Sequence, residues 1–256
     1  MLAIHDLTIG YQTGKRNTVV ASQLDMKAHL GELISIIGRN GSGKTTLIKT
    51  LAQLLPALDG SIHWEEMSLE QISLQKKAQL ISYVGQFSNI PLQLQVGDAL
   101  ALGRNPHTNW LGKLQASDRL KIEEVAAQLD LTNWFNTPLH QLSSGQRQRC
   151  MIGLALVQDT PIILLDEPSV FLDLDHKAHI FGLLKTIAQQ QQKLVLICTH
   201  DLNPALQISD RVMVLNQKKG HYGTPRELVD QEILQHLFPQ EWVGFDPRSL
   251  QFSICV

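Results

Sequence analysis

The spacing of apolar residues changes several times along the chain, and each change predicts an element. LAIHDLTIGY at 2–11 and TVVASQLDMKAHL at 18–30 alternate loosely, which predicts short strands paired antiparallel. ELISIIG at 32–38 is an unbroken apolar run and predicts a buried strand ending at Gly38. Beyond GRNGSGKTT, Leu47, Leu51, Leu54 and Leu55 recur at helical spacing, so a helix with one apolar face is expected, ended by Pro56. Residues 69–80 are mostly polar with a helical rhythm, and LISYVGQ at 80–86 reads as a second strand.

From Phe87 to about residue 142 the pattern loosens around Pro91, Gly97, Gly103, Pro106 and Gly112. A helix is expected near 117–129, placed by Leu120, Glu123, Glu124 and Ala127. The stretch at about 87–155 thus reads as an inserted, mainly α-helical subdomain. Alternation then resumes, with a helix over 143–157, a strand over 161–165, a helix over 176–192 and strands over 194–199 and 211–215. That order predicts an α/β fold, a parallel sheet covered on both faces, preceded by an N-terminal antiparallel β subdomain. A helix over 225–237 and a short strand near 251–256 are expected after it, which divides the chain into a main domain at 1–226 and a short C-terminal extension at 227–256.

Composition narrows the function classes. The 256 residues are 43% hydrophobic and 18% charged, a globular balance with length for a sizeable core. Lys+Arg is 22 against 24 Asp+Glu, a net charge of −2, so a nucleic-acid partner is not expected. Cys150, Cys198 and Cys255 are few, odd in number and far apart, which fits a reducing compartment better than a disulfide framework. No signal-peptide pattern opens the chain, and no apolar run approaches the ~20 residues of a spanning helix. A cytosolic chain that reaches a membrane only through a protein partner is expected.

The strongest chemical signal is Gly38-Arg-Asn-Gly-Ser-Gly-Lys44-Thr45, a full G-x-x-x-x-G-K-[ST] phosphate loop between a strand and a helix. Its glycines let backbone N–H groups approach phosphate oxygens, and the following helix points its positive end at the same anion. Lys44 supplies a cation for the β- and γ-phosphates, and the Thr45 hydroxyl can ligate Mg²⁺. A second signal is IILLDEP at 162–168, an apolar strand ending in two carboxylates. Asp166 is placed to hold Mg²⁺ and Glu167 to orient or deprotonate a water. A third is LSSGQRQR at 142–149, where Ser143 and Gln146 stand at capping-box spacing and Gly145 opens a second phosphate-facing helix start.

In this order the motifs resemble the ATP-binding subunit of ABC transporters, over residues from about 2 to 226. LSSGQ at 142–146 is similar to that family's LSGGQ signature, Gln86 to its Q-loop glutamine, Leu172-Asp173 to its D-loop and His200 to its switch histidine. Tyr11 resembles the aromatic that stacks on adenine. The resemblance implies a P-loop NTPase core that binds ATP and Mg²⁺, with Gly38, Asn40, Gly41, Ser42, Gly43, Lys44, Thr45 and Thr46 around the nucleotide. It implies Thr45, Gln86 and Asp166 toward the metal, Glu167 as general base, and Gln86 and His200 beside the reacting phosphate. It also implies a head-to-tail dimer with a second copy, in which Ser143, Gly145, Gln146 and Asp173 complete the partner's site. Polytopic permease subunits would hold the dimer on the cytoplasmic face of the inner membrane, and a substrate-binding protein would act indirectly.

Some positions depart from the family pattern or extend it. Ser144 replaces the second signature glycine, and Val170 replaces a serine in the D-loop stretch. GRNPH at 103–107 is similar to the GRxPH stretch of importer ATPases for iron-siderophores, haem and cobalamin, in the subdomain that docks on the permease. His176 and His179 stand three apart on one helix and read as a solvated face. A P-loop kinase would lack the signature and need an acceptor lid, and a soluble ABC-type ATPase acting on DNA or ribosomes would bring a coiled coil, tandem units or a basic excess.

Overall fold

The computed structural model describes residues 1–14, 16–86, 90–108, 112–170, 172–238 and 243–254. β1 (Leu2–Thr13) and β2 (Arg16–Ala28) form an antiparallel pair. They are 12 and 13 residues long, where short strands were expected. Bulges between Ile4 and Gly10 break their register, which is why the alternation in sequence is loose. β3 (Leu33–Gly38) is buried at every position, as a central parallel strand must be.

α1 (Lys44–Leu51) stops before Pro56 is reached. Gln53 adopts a left-handed backbone, φ 59°, and the Leu54 N–H turns back to Lys49 O at 2.9 Å. This turn closes the helix without proline and leaves Leu54 exposed. β4 (Asp59–Trp64) and β5 (Met67–Ser68), absent from the sequence reading, extend the antiparallel side. α2 (Leu74–Leu80) is shorter than the polar stretch predicted and leads into β6 (Ile81–Val84).

α3 (Val96–Ala101), a 3₁₀ turn over Leu102–His107, α4 (Ala116–Gln128) and α5 (Ser144–Val157) follow, and the three helices share one apolar cluster. α4 lies where the sequence places it, but with another face inward. Ile122, Val125 and Ala126 are buried, whereas Leu120 is 67% exposed and Ala127 faces solvent. The buried stripe starts from the Asp118 carboxylate, which the pattern of apolar residues does not reveal.

β7 (Ile162–Asp166), α6 (Leu174–Gln190), β8 (Leu194–Cys198), α7 (Leu202–Ile208), β9 (Arg211–Asn216) and β10 (Lys219–Gly223) complete the core. Ten described strands form one sheet in the order β5-β4-β1-β2-β10-β9-β3-β8-β7-β6. The run from β9 to β6 is parallel. β10 joins it to the antiparallel side by a hairpin with β9 and a parallel bridge, Lys219 to Ser22. Leu33, Ile163, Leu165, Val195 and Ile197 face one cluster, while Ile34, Ile36, Ile162, Leu164, Leu194 and Leu196 face another, so both sheet faces are covered.

α8 (Pro225–Asp230) ends seven residues before the helix expected there, because Glu232 turns left-handed at φ 60°. Leu234 and Leu237 nevertheless pack on Ala205, Leu206, Val212 and Val214. A hairpin of β11 (Val243–Asp246) and β12 (Gln251–Ile254) lies on α7, where Asn203 donates to Phe252 O at 3.1 Å and accepts from its N–H at 2.8 Å. Cys150 and Cys198 are buried free thiols, and the Cys255 position lies outside the described residues. Among the described residues no helix is long and apolar enough to cross a membrane.

Candidate active site

β3 delivers the phosphate loop to α1. Gly43 occupies the N-cap with φ 106°, and a Cβ there would lie 2.5 Å from Val20, so a larger residue is excluded twice over. α1 has no side-chain cap and no acid in its first turn, which leaves its positive end for an anion. Ser42 Oγ is buried without a hydrogen-bond partner. An orphaned hydroxyl in this loop is a group that a phosphate oxygen would satisfy. Lys44 is buried, and its ammonium donates to Gly38 O at 2.9 Å.

The acidic end of β7 meets this loop. Thr45 Oγ1 donates to Asp166 Oδ1 at 3.2 Å. Burial pushes the Asp166 carboxyl up, the charge of Glu167 adds to this, and the Thr45 hydrogen bond opposes it. A buried carboxylate that resists its own charge, with a hydroxyl beside it, fits a hard dication such as Mg²⁺. Glu167 sits in a left-handed backbone, φ 57°, a conformation costing a non-glycine residue roughly 1–3 kcal/mol. Its N–H donates to Cys198 O at 2.9 Å, which fastens the turn to β8. The same strand leads to His200, whose Nδ1 lies 2.6 Å from Glu167 Oε2.

A cavity of about 640 Å³ gathers Tyr11, Asn40, Gly41, Gly43, Lys44, Thr45, Thr46, Gln86, Glu167 and His200. The Tyr11 hydroxyl is 3.0 Å from Thr46 Oγ1. An adjoining cavity of about 500 Å³ shares Thr45 and Gln86 and adds Asp166, Lys49, Tyr83 and Met151. Burial pushes the Tyr83 phenol up to about 12, so it stays neutral there. Lys49, Tyr83 and Val20 were missed from the sequence. Lys49 had a signal, since it stands one helical turn beyond Thr45.

The signature residues lie elsewhere. Ser143 caps α5: its Oγ accepts from the Gln146 N–H at 3.2 Å, and Gln146 Oε1 accepts from the Ser143 N–H at 2.9 Å. Gly145 lines a separate cavity of about 350 Å³ with Arg149, Asp175, His176 and His179. A Cβ on Gly145 would lie 2.5 Å from the His176 ring. Asp173 caps α6 and accepts from His176 Nδ1 at 2.7 Å. One chain therefore brings together Tyr11, the phosphate loop, Gln86, Asp166, Glu167 and His200, and holds Ser143, Gly145, Gln146 and Asp173 apart from them. Ser144 is the first residue of α5, and Val170 lies in the turn after Glu167.

GRNPH turns inward. Arg104 donates to Asp118 at 2.8 Å and to Val157 O at 2.9 Å, and His107 Nε2 contacts Gln158 O at 2.8 Å. These side chains cap the carbonyl end of α5, where a cation also complements the helix dipole. Arg104 and His107 thus fasten the 3₁₀ turn to the end of α5.

The geometry has close counterparts. The family model described as ABC transporter matches residues 21–170. The iron(3+)-hydroxamate import ATP-binding protein FhuC of Bacillus subtilis (strain 168) is 32% identical over 252 residues, covering 97% of this chain and 91% of its own. A metal-chelate type ABC transporter solved in an inward-facing conformation aligns with TM-score 0.81 and 28% identity, over 98% of this chain and 94% of that one. A dimeric ATP-binding cassette in a post-hydrolysis state with ADP and Pi aligns with TM-score 0.75 and 25% identity, over 88% and 99%. The chain belongs to the ABC transporter family and has the fold of its ATPases.

Proposed function

We propose that this chain is the ATP-hydrolysing subunit of a membrane importer for metal chelates of the iron-siderophore, haem or cobalamin type. The observation that carries the ATPase part of the reading is the cavity in which Lys44, Thr45, Gln86, Glu167 and His200 converge, with Glu167 and His200 in contact at 2.6 Å, and the likeness to the iron(3+)-hydroxamate import protein and the metal-chelate type transporter supports the cargo class. The loop N–H groups and Lys44 bind the phosphates, and Tyr11 lies at the cavity edge for the adenine. Thr45, Asp166 and Gln86 would hold Mg²⁺, which supplies neutralising charge on the phosphates.

Glu167 accepts a proton from water while the water oxygen bonds to the γ-phosphorus and the bond from that phosphorus to the β-γ bridging oxygen breaks. His200 orients the Glu167 carboxylate and donates toward the γ-phosphate. A second copy, head-to-tail, supplies Ser143, Gly145, Gln146 and Asp173, which one chain holds away from its own cavity. The dimeric cassette with ADP and Pi supports association of two copies. ATP then favours the closed dimer, and hydrolysis releases it. The subunit sits on the cytoplasmic face of the inner membrane through polytopic permease subunits. A substrate-binding protein delivers cargo to those subunits and not to this chain.

The reading is tested by uptake of radiolabelled ferric hydroxamate, haem and cobalamin in cells carrying this chain with its permease. Uptake of one chelate class that disappears with Lys44→Ala is expected. Uptake of none of them, with intact complex, would remove the metal-chelate assignment.

A further inference from the structure

Three chain segments meet behind Glu167, at a carboxylate that lines none of the three cavities described above. Ser169, two residues beyond Glu167, is fully buried and donates its hydroxyl to Asp201 Oδ2 at 2.6 Å. Lys177, in the first turn of α6 after Asp173, donates to Asp201 Oδ1 at 2.6 Å. Asp201 itself follows His200 directly, and its N–H donates to Thr199 Oγ1 at 3.0 Å. The Asp201 side chain is 14% exposed and that of Lys177 is 21% exposed. Each carboxylate oxygen is therefore committed to a different segment, in surroundings where water is a poor substitute.

We infer that Asp201 is a positioning residue for ATP hydrolysis, clamping the turn that carries Glu167 and the helix start that follows Asp173 onto the strand end that carries His200. It touches neither nucleotide-binding cavity, so its action passes through the groups it holds. The left-handed backbone at Glu167 gives such a clamp a purpose, because that conformation persists only where neighbours over-determine it. Removing the carboxylate frees the Ser169 hydroxyl and the Lys177 ammonium together, and the Glu167 carboxylate loses its fixed line toward His200. Small misplacements of a base are costly in rate, because the barrier depends on alignment of the reacting atoms. Lys44 and Thr45, which grip the phosphates, are anchored on α1 and stay in place.

The inference rests on the reading of Glu167 as general base, and the test separates the two. ATP turnover by the full-length chain is measured for Asp201→Ala, Ser169→Ala, the double variant and Glu167→Gln, with KM taken alongside. Asp201→Ala and Ser169→Ala should each lower kcat by about tenfold or more, with KM for ATP changed less than about twofold. The double variant should be no slower than the worse single one, because both remove the same clamp. Unchanged kcat in the single variants, multiplied losses in the double one, or KM rising as far as kcat falls would each overturn the inference. If Asp201→Ala does not fold, Ser169→Ala alone decides, since it removes one hydroxyl. Should Glu167→Gln abolish turnover while Ser169→Ala leaves it intact, only the clamp fails. Should Glu167→Gln turn over normally, the general-base reading fails first.

Discussion

Two helix starts in this ATPase follow loops rich in small residues, and they are built in opposite ways. α5 caps itself: Ser143 and Gln146 exchange hydrogen bonds, so its first turn is satisfied before any ligand arrives. Such a cap is worth about 1 kcal/mol. α1 has no side-chain cap, a left-handed glycine at its N-cap, a buried lysine and an orphaned Ser42 hydroxyl. The first is a finished surface, ready to be presented to another molecule. The second is an unfinished one, and an anion completes it. On the proposed reading, the difference separates a site that binds the nucleotide from a site that covers it.

The largest expected effect is at the unfinished end. Lys44→Ala should abolish phosphate release, by two orders of magnitude or more on the scale of lost phosphate stabilisation. A rate near that of the parent would end the contrast, because α1 would then bind without its cation. Glu167→Gln comes next. It should slow hydrolysis by about 10²–10⁴-fold, retain ATP, and shift the chain toward a dimer on sizing with ATP. A monomer throughout would show that the α5 surface is not what covers the nucleotide.

Gly145→Ala tests the finished end. The added Cβ meets the exposed His176 ring at 2.5 Å and must turn it away from Asp173, so turnover should fall modestly while fluorescent-nucleotide binding to the single chain is retained. The double variant Gly145→Ala/His176→Ala makes room and should recover part of the rate. Equal loss in both would mean that the glycine is needed for something other than space. The smallest effect lies beneath α5, at Asp118. Its carboxyl is held low chiefly by the Gln115 N–H, against the cost of burial, with the Arg104 guanidinium adding to the lowering. A lowered folded-state value means stability that is present above the ordinary carboxylate range and lost as pH falls through the folded value. The Tm difference between the parent and Asp118→Asn should be full at neutral pH and should close in acid, and a gap constant with pH would contradict a carboxyl held low in the folded state.

Much of this molecule was legible before folding. The unbroken apolar runs of β3, β7 and β8 admit few structures other than buried strands, and the loop between β3 and α1 admits few ligands other than phosphate. The capping box at Ser143 was also readable, since it is a contact between residues three apart. What escaped were β4, β5 and β10: β4 pairs with β1, far back along the chain, while β5 and β10 close tight hairpins on β4 and β9 and are too short for their alternation to stand out. The end of α1 escaped because a left-handed turn at Gln53, not Pro56, closes it. The inward face of α4 escaped because its buried stripe contains a charged residue. GRNPH was read for its likeness to importer ATPases, and the sequence did not show that Arg104 and His107 reach the end of α5.

Local chemistry along the chain was enough for the kind of reaction. A phosphate loop, an acidic strand end and a capped second helix each declare themselves through residues within a few positions of one another. Which groups share one mouth is a different matter, because Tyr11, Lys44, Gln86, Glu167 and His200 are brought together by strand order. Strand order depends on burying two faces of one sheet at once, a property of the whole chain. The same packing set the left-handed turn of Glu167 and the carboxylate of Asp201 behind it, a contact across 32 residues that no local pattern encodes.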